Sequence, residues 1–305
     1  GSTGRPKLIL SGQPGVTMKE TPAVGGWQLT SQSIAVLPAP LYHNAGFGMM
    51  MSVLNLGAHL IVLPRFDPEG TLAEIERRRA TWIYMVPTMM NRIWHLPEEV
   101  RTKYDLSSLK TLWHLAAPCP PWLKEAFILW LGGEVIQELY AGTEAQASTV
   151  ISGTEWMEHR GSVGKVRMGE MVAFDDDGNQ LPPREIGEIY MRRPEGMAPS
   201  YKYLGATAKV LPGGWESLGD IGWFDEDGYL YLADRRTDMI LVGGSNVYPA
   251  EIEAALEEHD SVQSVAVIGI PDDDLGAKIH AIVQTRGVGD EAALREYLKT
   301  KPVTY

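Results

Sequence analysis

The chain is short of cysteine, of positive charge and of long apolar runs. Its one cysteine, Cys119, cannot close an internal disulfide, which fits a reducing compartment. It lies in Ala116-Ala117-Pro118-Cys119-Pro120-Pro121, where no motif pairs it with a base, so it reads as an inert turn residue. Lys and Arg number 27 against 39 Asp and Glu, a net charge of −12, which argues against a broad nucleic-acid or anionic-membrane surface but not against a local basic pocket. No apolar run approaches the roughly 20 residues of a membrane span, and no signal peptide is legible, so a cytoplasmic protein is expected. There is no Walker A loop, which would need Gly-Lys followed by Ser or Thr. Two acidic turns, Asp175-Asp176-Asp177-Gly178 and Asp225-Glu226-Asp227-Gly228, do not make calcium loops. With either glycine at loop position six, position one is Ala173 or Trp223 and position twelve is Arg184 or Asp234, so the first Asp and last Glu are missing. Both read as hairpin turns.

What is present is an apolar share of 44% over 305 residues, enough for two or three folding units with real cores. From Ile34 to Leu139, apolar strands alternate with helical patterns. Strands are expected at Ile34–Leu37, His59–Leu63, Trp82–Val86, Thr111–Leu115 and Val135–Leu139. Helices are expected at Gly48–Leu56, Thr71–Arg79, from Pro87 and at Pro121–Leu131. This alternation predicts a doubly wound α/β layer with a largely parallel sheet, over 1–160. Ligands of such sheets bind at the loops following the strand C-termini.

Three of those loops carry unusual residues. After Leu37 come His43 and Asn44; after Leu115 comes Ala116-Ala117-Pro118; after Leu139 comes Tyr140-Ala141-Gly142-Thr143-Glu144. The last places an aromatic, a glycine, a hydroxyl and a carboxylate together. Tyr140 suits stacking on a base, Thr143 a phosphate contact and Glu144 a Mg²⁺ ligand. Thr143 equally suits a helix N-cap. Gly1-Ser2-Thr3-Gly4-Arg5-Pro6-Lys7 is small, polar and basic, as an anion-binding loop would be and as a flexible terminus would be.

Residues 161–236 read as short strands and turns, a small β barrel, and 237–305 as a small α+β unit. The latter has expected helices Pro249–Glu258 and Asp290–Lys299 and strands Val262–Ile270 and Lys278–Gln284. At the joint, polar side chains crowd around Asp220, Asp234-Arg235 and Asp238. Asp220 suits a sugar diol and Arg235 a diol or phosphate. The same residues also suit two hairpins and a linker held by a surface Asp–Arg pair.

The order Trp215, Gly219-Asp220, Gly222, Asp234-Arg235, Asp238, Gly243-Gly244, Asn246, Pro249 and Glu251-Ile252-Glu253 resembles the acyl-adenylate-forming enzyme superfamily. That superfamily holds acyl-CoA ligases, peptide-synthetase adenylation domains and beetle-type luciferases. The resemblance runs through nearly the whole chain. It implies that Ser2, Thr3, Gly4 and Lys7 hold the β- and γ-phosphates of ATP. By the same resemblance, Ala116, Ala117, Pro118 and Tyr140 flank the adenine, Thr143 and Glu144 serve the phosphates and Mg²⁺, and Asp220 and Arg235 clamp the ribose. His43 and Gly142 would border the acyl pocket, Gly243-Gly244 would line the thiol channel, and Thr237 would be the hinge of a rotating C-terminal domain.

The chain departs from the family pattern at three places. Ala141 replaces a usual glycine, Thr237 stands where Asp or Lys is usual, and Tyr201–Thr207 lacks the usual Pro-Glu and is assigned no role. The chain begins without Met inside the phosphate loop and ends at Tyr305 before the family's C-terminal lysine. The expectation is therefore a fragment that is folded in large part and inactive in adenylation. The whole protein is expected to be an ATP-dependent acid–thiol ligase using ATP, Mg²⁺ and coenzyme A on a fatty, aromatic or steroid-type acid. A peptide-synthetase adenylation domain is the rival. It usually carries an Asp after the first strand for an amino-acid ammonium, and Leu41-Tyr42-His43-Asn44-Ala45 has no carboxylate. A non-catalytic nucleotide-binding relative is the other alternative.

Overall fold

The computed structural model describes residues 8–11, 26–205, 207–235, 238–242, 245–272 and 275–301. They fall into two compact units. The first holds the described residues up to Met171 with Met191–Glu216 and Asp225–Leu230; the second holds Val172–Tyr190, Ser217–Phe224 and the described residues from Tyr231 on.

The inner strands of the first unit are short, apolar and buried on both faces. Trp82–Met85 and Thr111–His114 are buried at every position, as central parallel strands require. From one edge the order is His59–Val62, Ile34–Leu37, Trp82–Met85, Thr111–His114, Ile136–Ala141, Ser148–Ser152, Ser162–Met168. The first five run parallel, with Val36 opposite Ile61, Ile83 opposite Leu112 and Leu112 opposite Ile136. The chain enters at Ile34–Leu37, steps outward to His59–Val62, then crosses back to Trp82–Met85. That reversal is a topological switch point, the place where ligands of such sheets bind.

The connections are helices with legible ends. Pro68–Arg78 begins with Asp67, whose carboxylate accepts from the Gly70 amide at 2.6 Å, and Pro68 sits where no amide is needed. The first helix is Asn44–Asn55, four residues earlier than the sequence pattern indicates, and no side chain caps it. After Ile136–Ala141 no helix follows. The chain turns, and Ser148–Ser152 pairs antiparallel, Ala141 opposite Ser148. Thr143 therefore caps no helix, which corrects that alternative: the strand after it carries the β-branched Thr149, Val150 and Ile151. The next strand needs glycine at Gly164, where φ is +99° and a Cβ would lie 2.2 Å from the Val150 carbonyl oxygen.

Strands Glu170–Phe174, Gly187–Arg192, Trp215–Phe224 and Tyr229–Arg235 are hydrogen-bonded in the order 170–174, 187–192, 215–224, 229–235. Both acidic turns are tight hairpin turns. Asp175 Oδ1 accepts from the amides of Asp177 and Asn179 at 3.0 and 2.8 Å, and Asp225 Oδ1 from those of Asp227 and Tyr229 at 3.0 and 2.8 Å.

Further along the second unit, Ile240–Val242 pairs with Ser245–Val247, and Val262–Asp272 pairs antiparallel with Gly276–Thr285. Helices Pro249–Glu257 and Glu291–Leu298 pack on them through Ile252, Leu256 and Leu294, which join Ile240, Val247, Val262 and Val267 in one apolar core. Asp290 caps the last helix, accepting from the amides of Ala292 and Ala293. Among the described residues no helix is long and apolar enough to cross a membrane.

Candidate active site

The loops that follow the parallel strands of the first unit carry the polar residues singled out above. His43 is exposed and precedes the first turn of helix Asn44–Asn55. Ala116, Ala117 and Pro118 are exposed after Thr111–His114, and Ala116 holds a left-handed φ of +76°, uncommon for a residue with a side chain. Tyr140 is half-buried near the end of its strand, and Gly142 follows it into the turn. Thr143 is exposed at the tip, while Glu144 is buried.

The turn is tight because the chain must reverse within six residues. The Ala145 amide donates to the Gly142 carbonyl at 3.1 Å, and Ala145 takes φ +51°. Gly169 makes room behind it: a Cβ there would meet the Ala147 Cβ and the Gln146 carbonyl oxygen, each at 2.6 Å. Glu144 is held from a segment to which the sequence pattern gave no role. The Tyr203 hydroxyl donates to Glu144 Oε1 at 2.5 Å, and the Ser200 hydroxyl donates to the Glu144 carbonyl oxygen at 2.5 Å. Tyr201, two residues before Tyr203 and so on the same strand face, donates to Glu216 Oε2 at 2.5 Å. The Gln146 amide nitrogen donates to the same Glu216 oxygen. The two phenol rings meet edge to face, with ring centroids 4.7 Å apart and planes at 72°. Burial, and then the neighbouring carboxylates, push both phenols well above the ordinary tyrosine range, so both remain protonated donors. Beside them a cleft of about 770 Å³ is lined by Gln146, Arg192, Arg193, Tyr201 and Glu216. Arg192 pairs with Glu170 at 2.6 Å and lies over the Trp215 ring at 4.3 Å.

Below the same edge lies a buried ionic group absent from the sequence reading. Lys124, on helix Pro121–Leu131, is 1% exposed and its ammonium pairs with Glu138 on the strand leading to the Glu144 loop. His114, fully buried, lies with Nδ1 3.9 Å from Glu138 Oε1, and among the described residues neither ring nitrogen finds a hydrogen-bond partner. Burial drives its pKa down to about 4, against the pull of Glu138 and with the push of Lys124, so the ring is neutral.

In the second unit, Asp220 is buried at 7% exposure on strand Trp215–Phe224, next to the strand that ends at Arg235. The Arg235 side chain lies outside the described residues, as do Ser2, Thr3, Gly4, Lys7, Thr237, Gly243 and Gly244.

Glu144 fits a hard divalent cation. Tyr203 occupies one carboxylate oxygen, and among the described residues no donor takes the other, Oε2. One carboxylate oxygen plus substrate phosphates is the usual provision for Mg²⁺. A second grouping, His159, Asp225 and Asp227, brings ligand atoms within 4.8 Å of one another. Asp225 there is committed to its turn, and His159 stacks on Tyr229 at 3.5 Å, so the grouping is accounted for by the turn itself.

The α/β fold with its large mixed sheet is that of the adenylate-forming enzymes. The chain belongs to the AMP-binding enzyme family, whose model matches residues 1–202; the AMP-binding enzyme C-terminal domain matches residues 251–304. It is similar to the long-chain-fatty-acid–CoA ligase of Bacillus subtilis (strain 168), 34% identical over 288 residues that cover 93% of this chain and 51% of the relative. Among solved structures, the o-succinylbenzoate CoA synthetase of Bacillus subtilis in complex with its acyl-adenylate intermediate matches with TM-score 0.81 and 28% identity, over 100% of this chain and 62% of that one. An amide bond synthetase from Marinactinospora thermotolerans matches with TM-score 0.77 and 31% identity, over 89% of this chain and 56% of that one. The chain thus spans between about half and three-fifths of the length of these relatives.

Proposed function

We propose that this chain carries the nucleotide and metal site of an AMP-forming acid–CoA ligase. The observation that carries the reading is Glu144: a buried carboxylate with one oxygen held and one open, in the turn beyond the parallel strands. A substrate carboxylate oxygen bonds to the α-phosphorus of ATP, and the bond from that phosphorus to the bridging oxygen of the β-phosphate breaks. The products are acyl-AMP and pyrophosphate. Thiolate attack on the acyl carbonyl then forms the thioester and expels AMP.

The barrier to the first step lies in bringing anions together, so the site must align them and supply positive charge. Mg²⁺, when bound at Glu144, supplies charge to the phosphates. Thr143 and Lys7 would add a hydroxyl and an ammonium to them, with Ser2, Thr3 and Gly4 turning amides and hydroxyls toward the same anion. Tyr140 and the 116–118 loop would border the adenine, and Asp220 and Arg235 would hold the ribose. His43 and Gly142 would border the acid, and Gly243-Gly244 the thiol. Thr237 would be the pivot between the two steps, since what rotates there is backbone.

The loop following the first parallel strand offers no carboxylate to an ammonium, which favours an acid without an α-amino group. The acceptor is proposed to be the coenzyme A thiol, as in the ligases to which the chain is similar. Its likeness to an amide bond synthetase makes an amine acceptor the second reading. The test is to incubate the full-length protein with ATP, Mg²⁺ and a panel of fatty and aromatic acids, then add coenzyme A or an amine. Acid-dependent pyrophosphate followed by thioester supports the reading. Amide without thioester favours the second, and no acid-dependent pyrophosphate contradicts both.

A further inference from the structure

Strand Tyr201–Leu204 brings two phenols to one face, and each is bonded to a different buried or half-buried carboxylate. Tyr203 reaches Glu144 across 59 residues of sequence, so the contact is made by tertiary structure and not by local geometry. Its ring packs edge to face on that of Tyr201, which is itself fixed on Glu216 together with the Gln146 side chain, two residues beyond Glu144. The Ser200 hydroxyl ties the backbone of Glu144 to the start of the same strand. Glu144 is thus held at main chain and side chain by one strand.

A carboxylate with both oxygens unbound rotates about its last torsion and offers either oxygen, or both, to a cation. With Oε1 engaged by a neutral O–H donor, rotation is disfavoured, and among the described residues no donor takes Oε2. Tyrosine suits this task because its hydroxyl donates to one lone pair of that oxygen without adding a charge that would compete with the cation.

We propose that Tyr203 is a positioning residue for Glu144, holding its carboxylate by Oε1 so that a divalent cation is ligated through Oε2 alone. The inference rests on the reading of Glu144 as the metal ligand. Tyr203 touches neither metal nor substrate; it acts through Glu144. Removal of its hydroxyl leaves Glu144 in place but free to rotate, and metal affinity falls.

The experiment measures binding of Mn²⁺, a spectroscopic stand-in for Mg²⁺, to the full-length protein with ATP present, by electron paramagnetic resonance titration. Four proteins are compared: the parent, Glu144→Gln, Tyr203→Phe and Lys202→Ala. Lys202 points to the other face of the same strand and controls for strand integrity. Glu144→Gln tests the reading of the site, with loss of most affinity for Mn²⁺. Tyr203→Phe is expected to weaken Mn²⁺ by about tenfold, with unchanged affinity for ATP in the presence of a chelator, an unchanged circular dichroism spectrum and Lys202→Ala like the parent. The parent is further expected to show a phenol absorption difference on Mn²⁺ addition that Tyr203→Phe lacks. If Glu144→Gln leaves Mn²⁺ affinity unchanged, the reading and the inference fall together. If Glu144→Gln weakens binding and Tyr203→Phe equals the parent or binds more tightly, the inference alone is overturned. A loss in Tyr203→Phe matched by Lys202→Ala, or accompanied by loss of metal-free ATP binding, overturns it as well, because the strand and not the hydroxyl would then be responsible.

Discussion

At residue scale the account turns on what single buried polar groups accept or refuse. Asp220 is buried and is proposed to accept from both ribose hydroxyls. A charged acceptor contributes roughly 1.5–3 kcal/mol per bond. Asp220→Ala is therefore expected to weaken ATP binding at least tenfold, while 2′,3′-dideoxy-ATP binds parent and variant alike in a fluorescence titration. A variant that still prefers ATP to the dideoxy analogue as strongly as the parent removes Asp220 from the ribose site. His114 gives a second residue-scale prediction. Its pKa falls from an ordinary 6.5 to about 4 in the folded chain, so below about pH 6.5 the unfolded chain binds a proton that the folded chain refuses. Stability is then unaffected by this group above pH 6.5 and is lost as pH falls toward about 4, by roughly 3 kcal/mol in all. The urea midpoint of the parent should drop more steeply between pH 7 and pH 5 than that of His114→Leu. Equal slopes would mean the ring is not held neutral by burial.

At the scale of elements, strands were legible and side-chain directions and caps were not. The strands at Ile34–Leu37, Trp82–Met85 and Thr111–His114 could be read within a residue because each is a short apolar run bounded by a helical period. Helix Asn44–Asn55 was read four residues short, since Gly46 and Gly48 lower its propensity and no capping side chain marks its start. Helix Pro121–Leu131 is apolar nearly all round, so its buried face could not be read: Leu129 is 75% exposed, whereas Lys124 is 1% exposed. Lys124 is committed to Glu138, a pairing between two elements that no local pattern announces. Breaking a buried pair from one side leaves an uncompensated charge and costs roughly 3–5 kcal/mol, whereas replacing both partners by apolar groups is often neutral. Lys124→Met should therefore unfold at clearly lower urea concentration, and Lys124→Met with Glu138→Leu should recover most of the loss. A double variant as unstable as the sum of the two single ones would show that the pair is not coupled.

At the scale of the whole molecule, the family and the fold class were legible because the motifs are long and the alternation of strands and helices follows from a parallel sheet. The support of the site was not. Tyr203 and Tyr201 lie in the stretch that departs from the family pattern, and their partners are 59 and 15 residues away. Only the fold, by turning the chain back after Ala141, brings that strand against the Glu144 turn. The same strand is lined by Leu8–Ser11, pairing Ser11 with Tyr201 and Leu8 with Leu204, so the residue following Lys7 is fixed to the element that holds Glu144. The central claim is that Glu144 serves acid activation at the α-phosphate. The most direct measurement is acid-dependent exchange of labelled pyrophosphate into ATP by the full-length protein and by its Glu144→Gln variant, at limiting Mg²⁺. The account predicts exchange in the parent and a loss of more than tenfold in the variant, over about 1.4 kcal/mol of transition-state stabilisation, partly restored at high Mg²⁺. Equal exchange by the two proteins would contradict it.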